Sequence, residues 1–100
     1  MSFITETTEP TWEQDIAEGV VVVDVSAEWC MPCRGLLPVI ESLSEEYEGR
    51  VRFLKIDVDN AKGLAQSLEI MSVPTLGMQF DEFRLLFTMK HAKLLFARSE

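Results

Sequence analysis

The run VVVVDVS, residues 20–26, constrains the fold of this chain more than any other segment. A continuous β-branched run packs well on a pleated sheet and is typical of a strand that is buried on both faces. Such a strand needs a layer of other elements above it and another below it. The run therefore predicts the central strand of a layered α/β structure.

The segments around this run alternate between helical and extended patterns. We predict three helices, over residues 11–18, from the cysteines to about 49, and over 61–68, and a last short helix over 91–98. We predict further strands over residues 51–58, 75–80 and 83–89, with a weak edge strand at 3–5. Thr11 and Gln14 have capping-box spacing, and Asp59 or Asn60 is expected to open the third helix. The order predicts a mixed central sheet with helices on both faces.

Composition limits the size of the unit and the class of its partners. The 100 residues are 47% apolar, which suits one domain spanning residues 1–100. The formal net charge of −8 repels phosphate backbones and anionic lipids, so neither nucleic acid nor membrane is an expected partner. The first ten residues, MSFITETTEP, lack the pattern of a secretory signal, and we expect a cytoplasmic protein.

The two cysteines lie together in EWCMPCR, residues 28–34. In the predicted layout Cys30 follows the buried strand and opens a helix, where unpaired N–H groups and the helix dipole favour a thiolate. Cys33 lies two residues further on and can resolve a mixed disulfide formed at Cys30. Pro32 suits the first turn of a helix, which has no use for its N–H. We expect Cys30 to be the exposed nucleophile and Cys33 the shielded resolving thiol.

Two other interpretations of the cysteine pair exist. It could form half of a zinc site, but zinc takes four ligands, and the only histidine, His91, is some sixty residues away. Acidic ligands or a dimer would have to complete that site. It could also be an inert structural disulfide, although closing so small a ring restricts the unfolded chain little. A close pair in a reducing compartment favours redox chemistry.

Three further residues can each be interpreted as having an ordinary structural role or a functional role. Asp24 interrupts the apolar run, and burial would raise the pKa of its carboxyl group, unless it simply caps a turn at the end of the strand. Lys55, taken alone, is an ordinary solvated lysine. Pro74 follows a valine and precedes a strand, so by itself it marks an element boundary.

Taken together, these residues resemble the thioredoxin family. The likeness covers most of the chain and rests on AEWCMPCR together with five landmarks in order: Asp24, Trp29, Pro38, Lys55 in KIDVD, and Val73-Pro74-Thr75. It implies a thioredoxin-like fold and reduction of protein disulfides through a redox-active Cys30-Cys33 pair. It also implies electrons from NADPH through a thioredoxin reductase, with no bound cofactor.

The resemblance also implies roles for single residues. Asp24 would take the proton of Cys33 through a water molecule, with Lys55 modulating the charge of Asp24. The Val73-Pro74 peptide would be cis and lie against the disulfide, leaving the Val73 backbone free to pair with an extended substrate.

An apolar rim around the first sulfur is also expected. Trp29, Met31 and Pro32 would form this rim with Val73 opposite, unless Trp29 and Met31 pack against the sheet edge instead. Arg34 is expected either to favour the thiolate or to be a solvated helix residue.

The chain departs from the family pattern after Pro74, and its last predicted helix, residues 91–98, is shortened. We therefore expect a monomer with reduced stability, or weak self-association. Two rival functions remain at this point: a thiol exchanger of the same fold that is oxidising or serves one dedicated partner, and a binding module whose redox state is only a switch.

Overall fold

The computed structural model of the protein describes residues 3–80 and 83–88. Within these residues five strands form one sheet in the order β1-β3-β2-β4-β5. The strands are β1 (Ile4–Glu6), β2 (Val21–Ser26), β3 (Arg52–Asp57), β4 (Thr75–Phe80) and β5 (Phe83–Thr88). The helices are α1 (Trp12–Asp15), α2 (Met31–Glu46) and α3 (Lys62–Ser67). The predicted helix at 91–98 and the predicted strand end at Met89 lie outside the described residues.

The sheet is mixed, as predicted. β1 and β2 both run parallel to β3, β4 runs antiparallel to β2, and β5 returns antiparallel to β4. β2 therefore has a neighbour on each side, and all six of its residues are buried. None of the helices in the described part of the chain is long and apolar enough for a membrane crossing.

Helices cover both faces of the sheet, which confirms the predicted fold class. Because side chains alternate along a strand, β2 sends three valines to one face of the sheet and one valine to the other. On one face Val21, Val23 and Val25 pack with residues of α1 and α3 and with Leu54 and Ile56. On the other face Val22 packs with Leu36 and Ile40 of α2 and with Phe53 and Leu76. The polar residues Asp24 and Ser26 share the second face, beneath α2.

The start of α1 corrects the predicted capping box. α1 begins at Trp12 and covers four residues rather than eight, and Thr11 makes no side-chain cap. The Thr11 hydroxyl is instead hydrogen bonded to the Thr8 hydroxyl at 2.7 Å and accepts the Thr8 N–H at 3.2 Å. A local threonine pair has thus replaced the bond to the helix.

The start of α3 is also later than predicted. Asp59 and Asn60 lie in a 3-10 turn, Val58–Asn60, and α3 follows Ala61, which gives no side-chain cap. The cap of the 3-10 turn is Asp57, whose carboxylate accepts the Asp59 N–H at 2.8 Å. The short polar side chains therefore stabilise this turn and not the helix.

Glu9 provides a cap for α3 from a distant part of the chain. Its carboxylate accepts the Leu64 N–H at 2.6 Å, which pairs a free donor in the first helical turn. Replacing Glu9 by alanine is expected to lower the free energy of unfolding by about 1 kcal/mol. Urea denaturation measures this loss, and Glu48→Ala, at another exposed glutamate, is the control. Equal stability of Glu9→Ala and the unmodified protein would contradict the role of Glu9.

Candidate redox site

A disulfide between Cys30 and Cys33 lies where the chain passes from β2 to α2. Cys30 has an extended backbone conformation and precedes the first helical residue, and its Sγ accepts the Cys33 N–H at 3.2 Å. A backbone N–H aimed at this sulfur stabilises negative charge on it. Pro32 in the first turn removes one donor that would otherwise lack a partner. The described residues contain no cluster of three or more acidic, histidine or cysteine side chains able to hold a metal ion.

The expectation that Cys30 is exposed was wrong. Cys30 is 3% exposed in the bridged form and Cys33 is 4% exposed. The cause is apolar cover, because both cysteines cluster with Ala27, and the half-buried Val58 and Val73 pack against this cluster. The two sulfurs therefore differ in backbone hydrogen bonding rather than in burial.

A cleft of about 290 Å³ brings three of the predicted catalytic residues together. Asp24 of β2 is the register partner of Lys55 on β3, and both side chains lie on the sheet face that α2 covers. Cys33, from the first turn of α2, lines the same cleft. Ser26 and Asp57, two residues further along the same strands, complete the polar wall. The cleft therefore connects Cys33 with a buried carboxyl group and an ammonium group.

Asp24 is 1% exposed, and neither carboxyl oxygen has a hydrogen bond partner among the described residues. Burial raises the pKa of Asp24 from 3.8 to about 6, while the charge of Lys55 acts in the opposite direction. The upward shift of the Asp24 pKa confirms the prediction from sequence. The alternative role, a cap for a turn, finds no support because Asp24 lies inside β2 and makes no such bond. Asp24 can therefore take up and release a proton close to neutral pH.

The rim residues are exposed rather than packed on the sheet edge. Trp29 is 67% exposed and Met31 is 70% exposed, and Pro32 is exposed as well. The Trp29 indole Nε1–H donates to the Asp59 carboxylate at 2.8 Å. That bond anchors the indole of the residue that precedes Cys30, although most of the residue remains exposed to solvent.

The loop before β4 approaches the disulfide from another part of the chain. The Val73-Pro74 peptide is cis, as the resemblance implied. Val73 is half-buried and packs against the cysteine cluster. After it, the Thr75 hydroxyl donates to the Ser72 carbonyl at 2.7 Å and closes the loop. The two segments predicted to contact substrate, 29–32 and 73–74, thus lie next to the same disulfide.

Two contacts at the site escaped prediction from sequence. Arg34 donates from Nε and from a terminal guanidinium nitrogen to the Glu28 carbonyl, at 3.1 and 2.8 Å. It therefore fastens the loop before Cys30 to the helix after Cys33, which neither expected role for Arg34 included. The Trp29 bond to Asp59 was also missed. The only available signal was that an indole N–H seeks an acceptor, and thirty residues separate the two partners.

Loss of the Asp59 carboxylate is expected to free the Trp29 ring. In a Trp12→Phe background, where Trp29 is the single tryptophan, Asp59→Ala should change acrylamide quenching of the indole fluorescence. In the exchange that the resemblance implies, the same variant should lower kcat/KM for a protein disulfide about twofold to fivefold, because one hydrogen bond that positions the ring is gone. Asn60→Ala in the same 3-10 turn is the matched control. Identical quenching and kinetics in the two variants would refute the positioning role of Asp59.

Comparisons with known proteins agree on one family. The thioredoxin family model matches residues 3–85. Thioredoxins of Staphylococcus haemolyticus and Staphylococcus aureus are 41% identical to the chain over 73 residues, which is 73% of this chain and 70% of each relative. The short form of thioredoxin f from spinach chloroplast superposes with a TM-score of 0.84 at 34% identity, covering 96% of this chain and 90% of that structure.

A second solved structure shows a similar protein with a partner. It is a complex of a ferredoxin:thioredoxin reductase with thioredoxin f2. This structure superposes with a TM-score of 0.83 at 32% identity and covers 96% of this chain and 92% of the matched chain.

Proposed function

The chain belongs to the thioredoxin family of thiol–disulfide oxidoreductases, and from this premise we propose that it reduces disulfide bonds in other proteins. One observation carries the proposal. The redox-active pair Cys30 and Cys33 opens α2 beneath an exposed apolar rim, and the Cys30 sulfur accepts a backbone N–H. A sulfur stabilised in this way suits reversible exchange with a partner disulfide.

The proposed reaction starts from the dithiol form. The Cys30 thiolate attacks one sulfur of the substrate disulfide, and the other substrate sulfur leaves as a thiolate. Cys33, once deprotonated, attacks the Cys30 sulfur of this mixed disulfide and releases the second substrate thiolate. Two electrons have then passed from the dithiol to the substrate, and the Cys30-Cys33 bridge has formed.

We assign proton transfer in the second step to Asp24. Its carboxylate lines the cleft that Cys33 also lines, so a water molecule in that cleft can carry the Cys33 proton to Asp24. A pKa of about 6 leaves most of the carboxyl ionised at neutral pH and ready to accept. Lys55 on the neighbouring strand stabilises the ionised form and so adjusts the pKa of Asp24.

We assign substrate docking to the apolar rim. Trp29, Met31 and Pro32 present apolar surface on one segment, and the Val73-Pro74 segment lies against the cysteine cluster. An extended, partly apolar loop of a protein substrate fits such a surface better than a small charged metabolite does. The Val73 backbone would pair with that loop.

The electron source in this proposal is NADPH, delivered through a thioredoxin reductase in the cytoplasm. The solved complex of thioredoxin f2 with a ferredoxin:thioredoxin reductase supports a reductase as partner. It also makes a ferredoxin-fed reductase the alternative source to test. No bound organic cofactor is part of the proposal, since the cysteine pair in its dithiol form carries the two electrons.

An insulin precipitation assay tests substrate and electron source together. The purified chain with NADPH and a bacterial thioredoxin reductase is expected to reduce insulin and to consume one NADPH for each disulfide bond reduced. A parallel reaction supplies light-reduced ferredoxin and a ferredoxin:thioredoxin reductase in place of NADPH and the bacterial enzyme. It tests the alternative electron source. If chemically pre-reduced protein also fails to reduce insulin, the proposal of protein-disulfide reduction is rejected. If insulin is reduced only in the ferredoxin reaction, NADPH is rejected as the electron source.

A further inference from the structure

We propose that Met31 is a peroxide-sensitive modification site, and that its oxidation to the sulfoxide weakens docking of protein disulfides. The thioether occupies the position between Cys30 and Pro32 and is 70% exposed. It belongs to the apolar rim that surrounds the disulfide. The effect on activity rests on the proposed function, whereas the modification itself does not.

Exposure separates Met31 from the other sulfur atoms of the site. Cys30 and Cys33 are almost fully buried and bonded to each other, so the bridged form offers no thiolate to an oxidant. Met78 is half-buried and packs in the cluster beneath α2. Met71, at 92% exposure, is the other open thioether among the described residues. Peroxide should therefore oxidise Met31 and Met71 before Met78.

The chemistry needs one co-reactant, hydrogen peroxide or an organic hydroperoxide. A lone pair of the Met31 sulfur attacks one peroxide oxygen, the O–O bond breaks, and a new S–O bond forms. The thioether is oxidised by two electrons, the peroxide is reduced by two, and water or an alcohol leaves with the transferred proton. Neither cysteine takes part in this step.

Oxidation of Met31 affects substrate docking because of where this residue lies. A sulfoxide is polar and accepts strong hydrogen bonds from water, so a docking substrate has to desolvate it. The change lies directly between the two cysteines and in the same segment as Trp29. We expect kcat/KM for insulin to fall about fivefold, while the rate with the small disulfide 5,5′-dithiobis(2-nitrobenzoic acid) stays unchanged because it needs little of the rim.

The experiment treats the bridged protein with hydrogen peroxide, removes the peroxide with catalase, and maps the gain of one oxygen atom by peptide mass spectrometry. The protein is then reduced with dithiothreitol, and insulin and small-disulfide rates are compared with those of the untreated sample. Met31→Leu and Met71→Leu are treated in parallel, and each is compared with its own untreated rate. These ratios separate the effect of oxidation from any effect of the substitution.

The expected result is faster oxidation of Met31 than of Met78, a loss of insulin activity in the unmodified protein and in Met71→Leu, and no loss in Met31→Leu. Oxidation of Met31 no faster than that of Met78 would overturn the modification site. Equal losses in Met31→Leu and the unmodified protein would overturn its effect on docking. An untreated protein that never reduces insulin would refute the proposed function instead, and the peptide map would still decide the modification.

Discussion

Replacing Cys30 by serine is expected to lower the rate of insulin reduction at least about a thousandfold. A serine hydroxyl is not ionised near neutral pH and forms no exchangeable bond to sulfur, so the first step of the exchange is lost. The change replaces one sulfur by oxygen at a buried position and leaves the backbone free to form α2. NADPH consumption in the reductase-coupled assay measures the effect, and circular dichroism checks the fold.

The serine variant also separates the enzyme from the rival binding module. A module that uses the rim only to hold a partner would keep its function without either sulfur. Ser26→Ala, at a buried neighbour in the cleft wall, is a control for small structural changes near the site. Insulin reduction by Cys30→Ser within threefold of the unmodified protein would show that the sulfur at this position is not the nucleophile.

Asp24→Asn is expected to stabilise the protein by about 3 kcal/mol at pH 7. The folded state raises the pKa of this carboxyl from 3.8 to about 6, so folding disfavours its ionised form. The contribution of Asp24 to the stability of the native protein should accordingly fall as the pH rises from about 4 to about 6, and no further above that range. An amide has no charge to desolvate, and the variant should lack this pH-dependent loss. Urea denaturation at a series of pH values measures the difference.

Asp15 offers a control of opposite sign for this experiment. The Thr7 hydroxyl donates to its carboxylate at 2.6 Å, and this bond is the largest cause of the lowered pKa of Asp15. Its contribution to stability is present above the ordinary carboxyl pKa and disappears as the pH falls, so Asp15→Asn should destabilise the protein at neutral pH. The stability of Asp24→Asn and of the unmodified protein is compared across the same pH range. An equally steep fall with rising pH in both proteins would contradict the assignment of this titration to Asp24.

The same Asp24→Asn variant should slow exchange near neutral pH. Without the carboxylate, Cys33 loses the group that accepts its proton across the cleft. A gain in stability together with a loss of rate would distinguish the proton-transfer role from a merely structural one. Unchanged rates from pH 6 to 9 would remove Asp24 from the mechanism.

The main features of the fold were predictable because they depend on long, consistent patterns. The valines of β2 could be placed in the centre of a sheet because no other buried element accommodates a continuous β-branched run so well. The starts of α1 and α3 were less predictable, since several side chains compete for the same donors. Thr11 bonds to Thr8 instead of to its helix, and Glu9 caps α3 from more than fifty residues away.

At the site, the burial of Asp24 was predictable because this residue interrupts a run of buried valines, whereas the place of Lys55 beside it was implied only by the resemblance. The burial of Cys30 was not predictable, because it depends on Val58 and Val73, which approach from separate loops. The same holds for the bond between Trp29 and Asp59, which requires the tertiary arrangement of β2 and β3. Local pattern thus identified the reactive groups, whereas their cover and positioning depend on long-range contacts.

Trapping of a mixed disulfide tests the order of attack most directly. The Cys33→Ser variant, reduced and mixed with insulin, retains the attacking sulfur but cannot resolve the intermediate. Mass spectrometry of the quenched mixture should find an insulin chain bound covalently at Cys30. A Cys30→Ser variant that accumulates the adduct at Cys33, while Cys33→Ser accumulates none, would contradict the account.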